Sequence, residues 1–297
     1  MNTQQNWAEE SNLDVCARAR TIKTSATFYS WKGQCRSPDW LVSQTMKGED
    51  GRLTLATIIP ALKRDGYEIM LKLMESIEME TVPPNEVVIA LSDVGRDEEN
   101  AFCNSFLKNL TDVFSKSPIK LICIGERMTA GRARNIAAKS STSELLSMMD
   151  SDDTESPIRN EVSKNIFECR GGKLKIFLHS FFQSYGQKKT PSAILDGYKC
   201  AEHENGTELL LGEQLYDLLK VSHNRLWIHA PIHHGWPVVH RSVFTEVSYS
   251  SIGQGQEDSL FIRDVLYSFG RNNNTALFLK RPLGFYVNIG QSYKDLQ

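Results

Sequence analysis

From Leu53 onward the chain alternates apolar, β-branched runs with segments whose apolar residues recur at helical spacing. Leu53 to Ile59 reads as a buried strand ended by Pro60. Starting near Tyr67, a helix is predicted with Ile69, Met70, Leu73, Met74 and Ile77 on one face. Glu68, Lys72, Glu75 and Glu78 lie on the other, and Pro83-Pro84 breaks it. Val87 to Leu91 is the next strand, running into Ser92-Asp93, and Glu98 to Ser115 a second amphipathic helix with Phe102, Phe106, Leu110 and Val113 inward. Leu121 to Ile124 is a third strand, Gly131 opens a short third helix, and Leu145 to Met149 is a fourth strand. Strand and helix alternating in this way require right-handed crossovers, hence an α/β fold with a mainly parallel sheet covered by helices. Pro60, Asp93, Arg134 and the acids after Met149 then gather near one edge of that sheet.

After Pro157 the pattern loosens. Lys173 to Phe182 predicts a strand, Gln187 to Asn205 a polar loop, Leu209 to Val221 a helix and Leu226 to Ile232 a strand. The short run Val238 to Val247 precedes a helix from Glu257 to about Phe269, and Leu277–Leu279 and Phe285–Val287 finish as two strands. Residues 1–50 have no clear period, yet Phe28, Tyr29, Trp31, Trp40 and Leu41 are too apolar for a disordered tail. They are expected to form an extension packed on a main domain of residues 51–297. That domain divides into a first half of about 51–156 and a second of about 157–297.

Charge narrows the class. A formal net charge of -2 with scattered Lys and Arg argues against a nucleic-acid partner. No apolar run approaches the roughly 18 residues that span a bilayer, and the first residues lack a charged start followed by an apolar core. A soluble, cytoplasmic protein is therefore expected. Cysteines 16, 35, 103, 123, 169 and 200 are widely spread without a Cys-x-x-Cys pair, which predicts reduced, packed thiols.

The candidate chemistry lies in Asp150-Ser151-Asp152-Asp153, three carboxylates within four residues at the carboxyl end of a strand. Open α/β sheets place their ligands there. Carboxylates so crowded either stand in water or share a hard cation. The plainer reading is a solvated acidic turn, with Asp153 or Ser156 capping a helix entered through Pro157.

Taken together, residues from about Leu53 to Phe269 resemble the GT-A-fold glycosyltransferases of family 2. The resemblance rests on Thr57 to Pro60, Tyr67-Glu68 with Ser76-Ile77, and Glu86 to Asp93. It continues through Gly131 with Arg134-Asn135, one residue tighter than the family spacing, then Met148 to Asp153 and Glu257-Asp258. It implies a GT-A fold, α/β with a mainly parallel, Rossmann-like sheet. It implies a sugar transferred with inversion from a nucleotide-sugar, expected to be a UDP-sugar, to a hydroxyl of a glycan or other acceptor. Ile59, Pro60 and Ala61 are implied as the base wall and Asp93 as a hydrogen-bond partner of the base. Arg134, Asp150, Ser151 and Asp152 would lie along the nucleotide-sugar, Asp150 and Asp152 would hold Mn or Mg, and Asp258 would be the catalytic base. His234, Gly235, Trp236 and Glu257 would meet the donor or acceptor sugar. Many relatives place a metal-binding histidine after the catalytic acid, whereas this chain has none beyond His240; His233, His234, His240 or water would stand in. Relatives of this kind include bacterial surface-polysaccharide enzymes and capsid-glycan enzymes of large DNA viruses, for which the compartment would be the host cytoplasm.

Plainer assignments compete with these roles: Asp93 could be a turn residue before Gly95, and His233 and His234 could have structural or tautomer-fixing roles. Trp236 could pack beneath its loop, Arg134 could pair with Glu126 or Glu144 on the surface, and Glu257-Asp258 could serve only as first-turn acids favoured by the helix dipole. Two other functions fit parts of the pattern. Asp150 to Thr154 also matches the Asp-x-Asp-x-Thr of haloacid-dehalogenase phosphatases, with Asp150 as nucleophile, and a non-catalytic nucleotide-sugar-binding module would need no Asp258.

Overall fold

A computed structural model describes residues 51–95, 99–170, 173–184, 236–250, 257–270 and 275–287, the strands Ala17–Thr21, Thr27–Trp31 and Leu209–Leu211, and Leu215. In chain order the strands are β1 (Ala17–Thr21), β2 (Thr27–Trp31), β3 (Leu55–Leu62), β4 (Glu86–Ser92), β5 (Ile119–Ile124), β6 (Leu145–Met148), β7 (Thr154–Glu155), β8 (Ile176–Ser184), β9 (Leu209–Leu211), β10 (Val238–His240) and β11 (Ala276–Val287). The helices are α1 (Tyr67–Glu78), α2 (Glu99–Val113), α3 (Ala130–Ser140), α4 (Arg159–Cys169) and α5 (Glu257–Phe269).

All strands join one sheet, in the order β1-β2-β5-β4-β3-β6-β10-β8-β11-β7, with β9 beside β11. The block β2, β5, β4, β3, β6 is parallel; β10 runs antiparallel between β6 and β8. Of residues 1–50, the described strands β1 and β2 lie at one edge of the sheet, β2 pairing with β5.

Because successive strand residues point to opposite faces, one sheet feeds two cores. Ile58, Val88, Ile122 and Met148 pack with Ala133 and Ala137 of α3 and Phe261 and Val265 of α5. On the other face, Ile59, Ile89 and Leu121 meet Met70, Leu73 and Ile77 of α1 and Phe106 and Leu110 of α2, while Leu55, Leu145 and Phe177 meet Val162 and Ile166 of α4.

Three predicted boundaries move. β3 does not stop at Pro60, which pairs with Ala90. Ile58 turns its backbone toward β6, accepting the Met149 N–H, and Pro60, two residues on, faces the same side. Pairing with β6 ends at Ile58, so the proline removes no ladder bond. Leu209–Leu211, predicted to start a helix, pairs instead with Leu277–Leu279; a short leucine run is ambiguous in period, and the pairing partner decides. The two last predicted strands are one, β11, with its register shifting around Pro282. The expected Leu226–Ile232 strand lies outside the described residues. Cys103 of α2 and Cys123 of β5 form a disulfide rather than two free thiols, because both side chains point into the core between that helix and the sheet.

Candidate active site

β6 ends at Met148, and beyond it the chain leaves β3 and carries Asp150, Ser151 and Asp152 into the gap between strand ends. There Arg134, buried to 2% exposure, donates through Nη2 to Asp150 Oδ1 and through Nη1 to Asp258 Oδ1 at 2.5 Å. One guanidinium therefore joins acids from the turn after β6 and from α5 that stand 108 residues apart (258 − 150). Arg134 is not a surface residue paired with Glu126 or Glu144.

The neighbouring Asn135 clamps Tyr249, its Nδ2 donating to the Tyr249 carbonyl and its Oδ1 accepting the Tyr249 N–H, each at 2.9 Å. Tyr249 then lies between the Arg134 guanidinium, 5.3 Å from its ring centroid, and the Phe261 ring of α5, 3.9 Å away. This clamp could not be read from the sequence, where nothing marks Tyr249.

Gly131 serves close approach rather than a turn. It lies within the first turn of α3, whose N-cap is Thr129, the side chain accepting from the Arg132 N–H. A Cβ at Gly131 would lie 2.9 Å from the Ser250 carbonyl oxygen and 3.1 Å from Tyr249 Cβ. Gly131→Ala is expected to push α3 off this segment, costing about 1–3 kcal/mol in urea unfolding and loosening the Arg134–Asp258 contact; unchanged stability would show that the backbone yields freely.

A cleft of about 170 Å³ lies at these strand ends, walled by Pro60, Ala61 and Leu62 on one side and by Asp150, Ser151 and Asp152 on another, with Met128, Ala130 and Ala133 behind. Of the expected base wall, Pro60 and Ala61 line it, whereas the Ile59 side chain is turned into the core with α1 by strand alternation. Asp93 is exposed beyond the end of β4 and is not among the lining residues, which include its neighbour Ser92. Its φ of 69° is left-handed, a conformation that Asp tolerates better than most residues. Asp65 was missed by sequence reading: it lines the cleft and accepts the Leu62 N–H at 2.9 Å and the Ser151 hydroxyl at 3.2 Å. Its only sequence signal was a carboxylate a few residues past a strand end.

Burial pushes the Asp152 carboxyl up to about 6, with Asp150 and Asp65 adding to it. Burial likewise raises Asp258 to about 6; Arg134 opposes the shift, and Asp150 and Glu257 reinforce it. Glu257, at 8% exposure, opens α5 beside Asp258.

The third carboxylate turns away. Asp153 is 1% exposed and accepts the Trp236 indole N–H at 3.1 Å. Trp236, also 1% exposed, packs against Phe181 and His179 and closely over Gly284. Of its two expected roles, packing is observed; no ring face is presented to a sugar. Neither Asp153 nor Ser156 caps α4, whose N-cap position is Ile158. His233, His234 and Gly235 lie outside the described residues. His240 pairs with Leu145, at the start of β6, and so lies at the far end of the strand from Asp150 and cannot complete a metal shell there.

Beneath the turn, Glu80 and Glu155 share a buried position. Burial drives the Glu80 carboxyl well above its ordinary 4.5, and the charge of Glu155 and a hydrogen bond to it add to the rise. A raised folded-state value means that the native protein holds a proton that the unfolded chain releases above pH 4.5. Stability is therefore lost as pH rises from there towards the folded value, by roughly 1 kcal/mol per pH unit. Glu80→Gln keeps a donor toward Glu155 and is expected to flatten the decline of the melting temperature as pH rises above 4.5. An unaltered profile would place the proton elsewhere.

The donor set suits a divalent cation. Asp150 and Asp152 crowd their charge at one rim of the cleft, and Mg or Mn takes one or two carboxylates and leaves positions for phosphate and water. Among the described residues no group of three or more His, Cys, Asp or Glu side chains is placed to hold a metal alone. Such a site would then be completed by its ligand.

A mixed α/β sheet flanked by helices, with acids from a strand end and a distant helix joined through Arg134, defines a GT-A fold. Residues 57–162 match the sequence model of glycosyl transferase family 2. Among solved structures, S. aureus TarS 1-349 in complex with UDP superposes with a TM-score of 0.52 at 12% identity, over 82% of this chain and 63% of that one. The same TarS fragment in complex with UDP-GlcNAc gives 0.53 at 12% identity, over 79% and 58%. The chain spans less than two thirds of these structures, and the likeness is one of fold. A comparison with curated proteins finds no match. No helix among the described residues is long and apolar enough to cross a membrane.

Proposed function

We propose that this protein is a glycosyltransferase that moves a sugar from a nucleotide-sugar to a hydroxyl of a glycan or other acceptor, inverting the anomeric centre. The observation that carries the reading is the joining of Asp150, which lines the cleft, to Asp258 through the buried Arg134. UDP is the favoured nucleotide, supported by the UDP and UDP-GlcNAc held by the TarS structures of the same fold.

In this reading Pro60 and Ala61 flank the base, and Asp93 approaches it from the end of β4. Asp150 and Asp152 would hold a divalent ion, whose chemistry is to neutralise charge growing on the departing diphosphate. Asp258 accepts the proton of the acceptor hydroxyl as that oxygen attacks the anomeric carbon. Arg134 keeps Asp258 oriented, and a raised proton affinity suits a base working near neutral pH. Glu257, at the start of the same helix, would meet the donor or acceptor sugar.

The division into a nucleotide half of about 51–156 and an acceptor half of about 157–297 belongs to this proposal, as does a cytoplasmic location. The phosphatase alternative, with Asp150 as nucleophile, is disfavoured by the match of residues 57–162 to the glycosyl transferase family 2 model. A screen of nucleotide-sugars with Mn or Mg should give nucleoside diphosphate release that EDTA abolishes. Failure of every donor to give release or thermal stabilisation would sink the proposal.

A further inference from the structure

We propose that Arg159 is the positioning residue of the acid turn, holding Asp150 and Asp152 at their working separation from beneath the cleft. The inference rests on the nucleotide-sugar reading above and adds to it a residue that no motif of the family pattern includes.

Arg159 opens α4 and is 0% exposed. Its guanidinium reaches both ends of the turn: Nη2 donates to the Met148 carbonyl, the last residue of β6, at 2.8 Å, and Nη1 to Glu155 Oε2, on β7, at 2.7 Å. Between those two anchors lie Met149 to Thr154, with the cleft-lining Asp150 and Asp152 among them. A third attachment enters from the side. Nη2 also donates to the Trp236 carbonyl at 3.2 Å, and the Trp236 indole N–H holds Asp153 at 3.1 Å.

His179 completes the arrangement. Its Nδ1–H donates to the Ser180 carbonyl at 2.8 Å, which leaves Nε2 to accept from Arg159 Nε at 2.9 Å. Four N–H bonds from one planar fork thus fix the guanidinium, and through it the turn. A lysine, a single point charge on a flexible stem, cannot reproduce them. Neither arginine nor tryptophan touches the cleft, so the effect passes entirely through Asp150 and Asp152.

The test uses the full chain, UDP and MnCl2, with manganese binding followed by the electron paramagnetic resonance of free Mn and UDP binding by calorimetry in EDTA. Arg159→Lys is expected to weaken Mn binding in the presence of UDP about tenfold, as loss of an outer partner of a metal ligand does. UDP binding without metal should be unchanged. Trp236→Phe, which keeps the ring and removes the bond to Asp153, should weaken Mn binding about threefold on the same reasoning. Equal Mn affinity in a folded Arg159→Lys, or UDP affinity in EDTA falling in step with that for Mn, overturns the inference. Should Arg159→Lys fail to fold, Trp236→Phe decides, and wild-type Mn affinity there overturns it. If the unaltered protein binds no Mn with UDP, the nucleotide-sugar reading itself fails, an outcome visible before any variant is made.

Discussion

Asp258→Asn is expected to lower the turnover of sugar transfer by about 10³-fold while leaving donor binding nearly intact, within the range that general-base removal costs. The substituted amide keeps an oxygen where Asp258 Oδ1 now accepts from Arg134, so the bridge to α3 survives and the loss reports proton acceptance alone. In the unaltered protein Asp258 must lose its proton to act, and burial holds that loss near pH 6. The rate should therefore fall as pH drops through about 6 and be level above it. Single-turnover kinetics with a bound donor would check both parts. Transfer that survives in Asp258→Asn, or a rate that is flat through that range, would remove Asp258 from the chemistry.

The second large effect is on Arg134. Arg134→Met removes the only side-chain partner that Asp150 and Asp258 have among the described residues and leaves two carboxylates, 23% and 26% exposed, without that counter-charge. Taking one member from a buried ion network costs about 3–5 kcal/mol when the charges left behind are buried. With a quarter of each carboxylate in water, about 3 kcal/mol in urea unfolding is the expected loss. Turnover should fall more than about 100-fold, since a base displaced by an ångström loses that much. The double variant with Asp258→Asn should be less destabilised than the two single changes summed, because one unpaired charge disappears with the second substitution. Strict additivity would mean that the two side chains are not coupled in solution.

Much of this was legible along the chain. The strands β3 to β6 and the helices α1 to α3 and α5 announced themselves through period, because each buries one face and repeats apolar residues at the interval of its own geometry. The acids of the cleft were legible as a cluster that crowding made hard to explain otherwise. The roles of single residues were less so. Ile59 and Pro60 are adjacent in sequence but face opposite sides of the sheet, and only Pro60 meets the cleft. Asp152 and Asp153 are likewise adjacent, yet one lines the cleft and the other holds an indole. Residues 209–211 have no period long enough to separate strand from helix, and β11 settles them by offering backbone partners.

Local regularities along the chain determined the α/β class, the order of the central elements and the carboxylates that bear on the chemistry, since a few residues at a time suffice to set them. Tertiary structure decided which of those carboxylates share a cleft. It also decided that Arg134 is a bridge rather than a surface cation, that Gly131 is there for closeness, and that Arg159, Asp65 and Tyr249 matter at all. The reason is that such contacts reach across as many as 124 residues, and their partners are set by how the sheet is threaded, which no local pattern encodes.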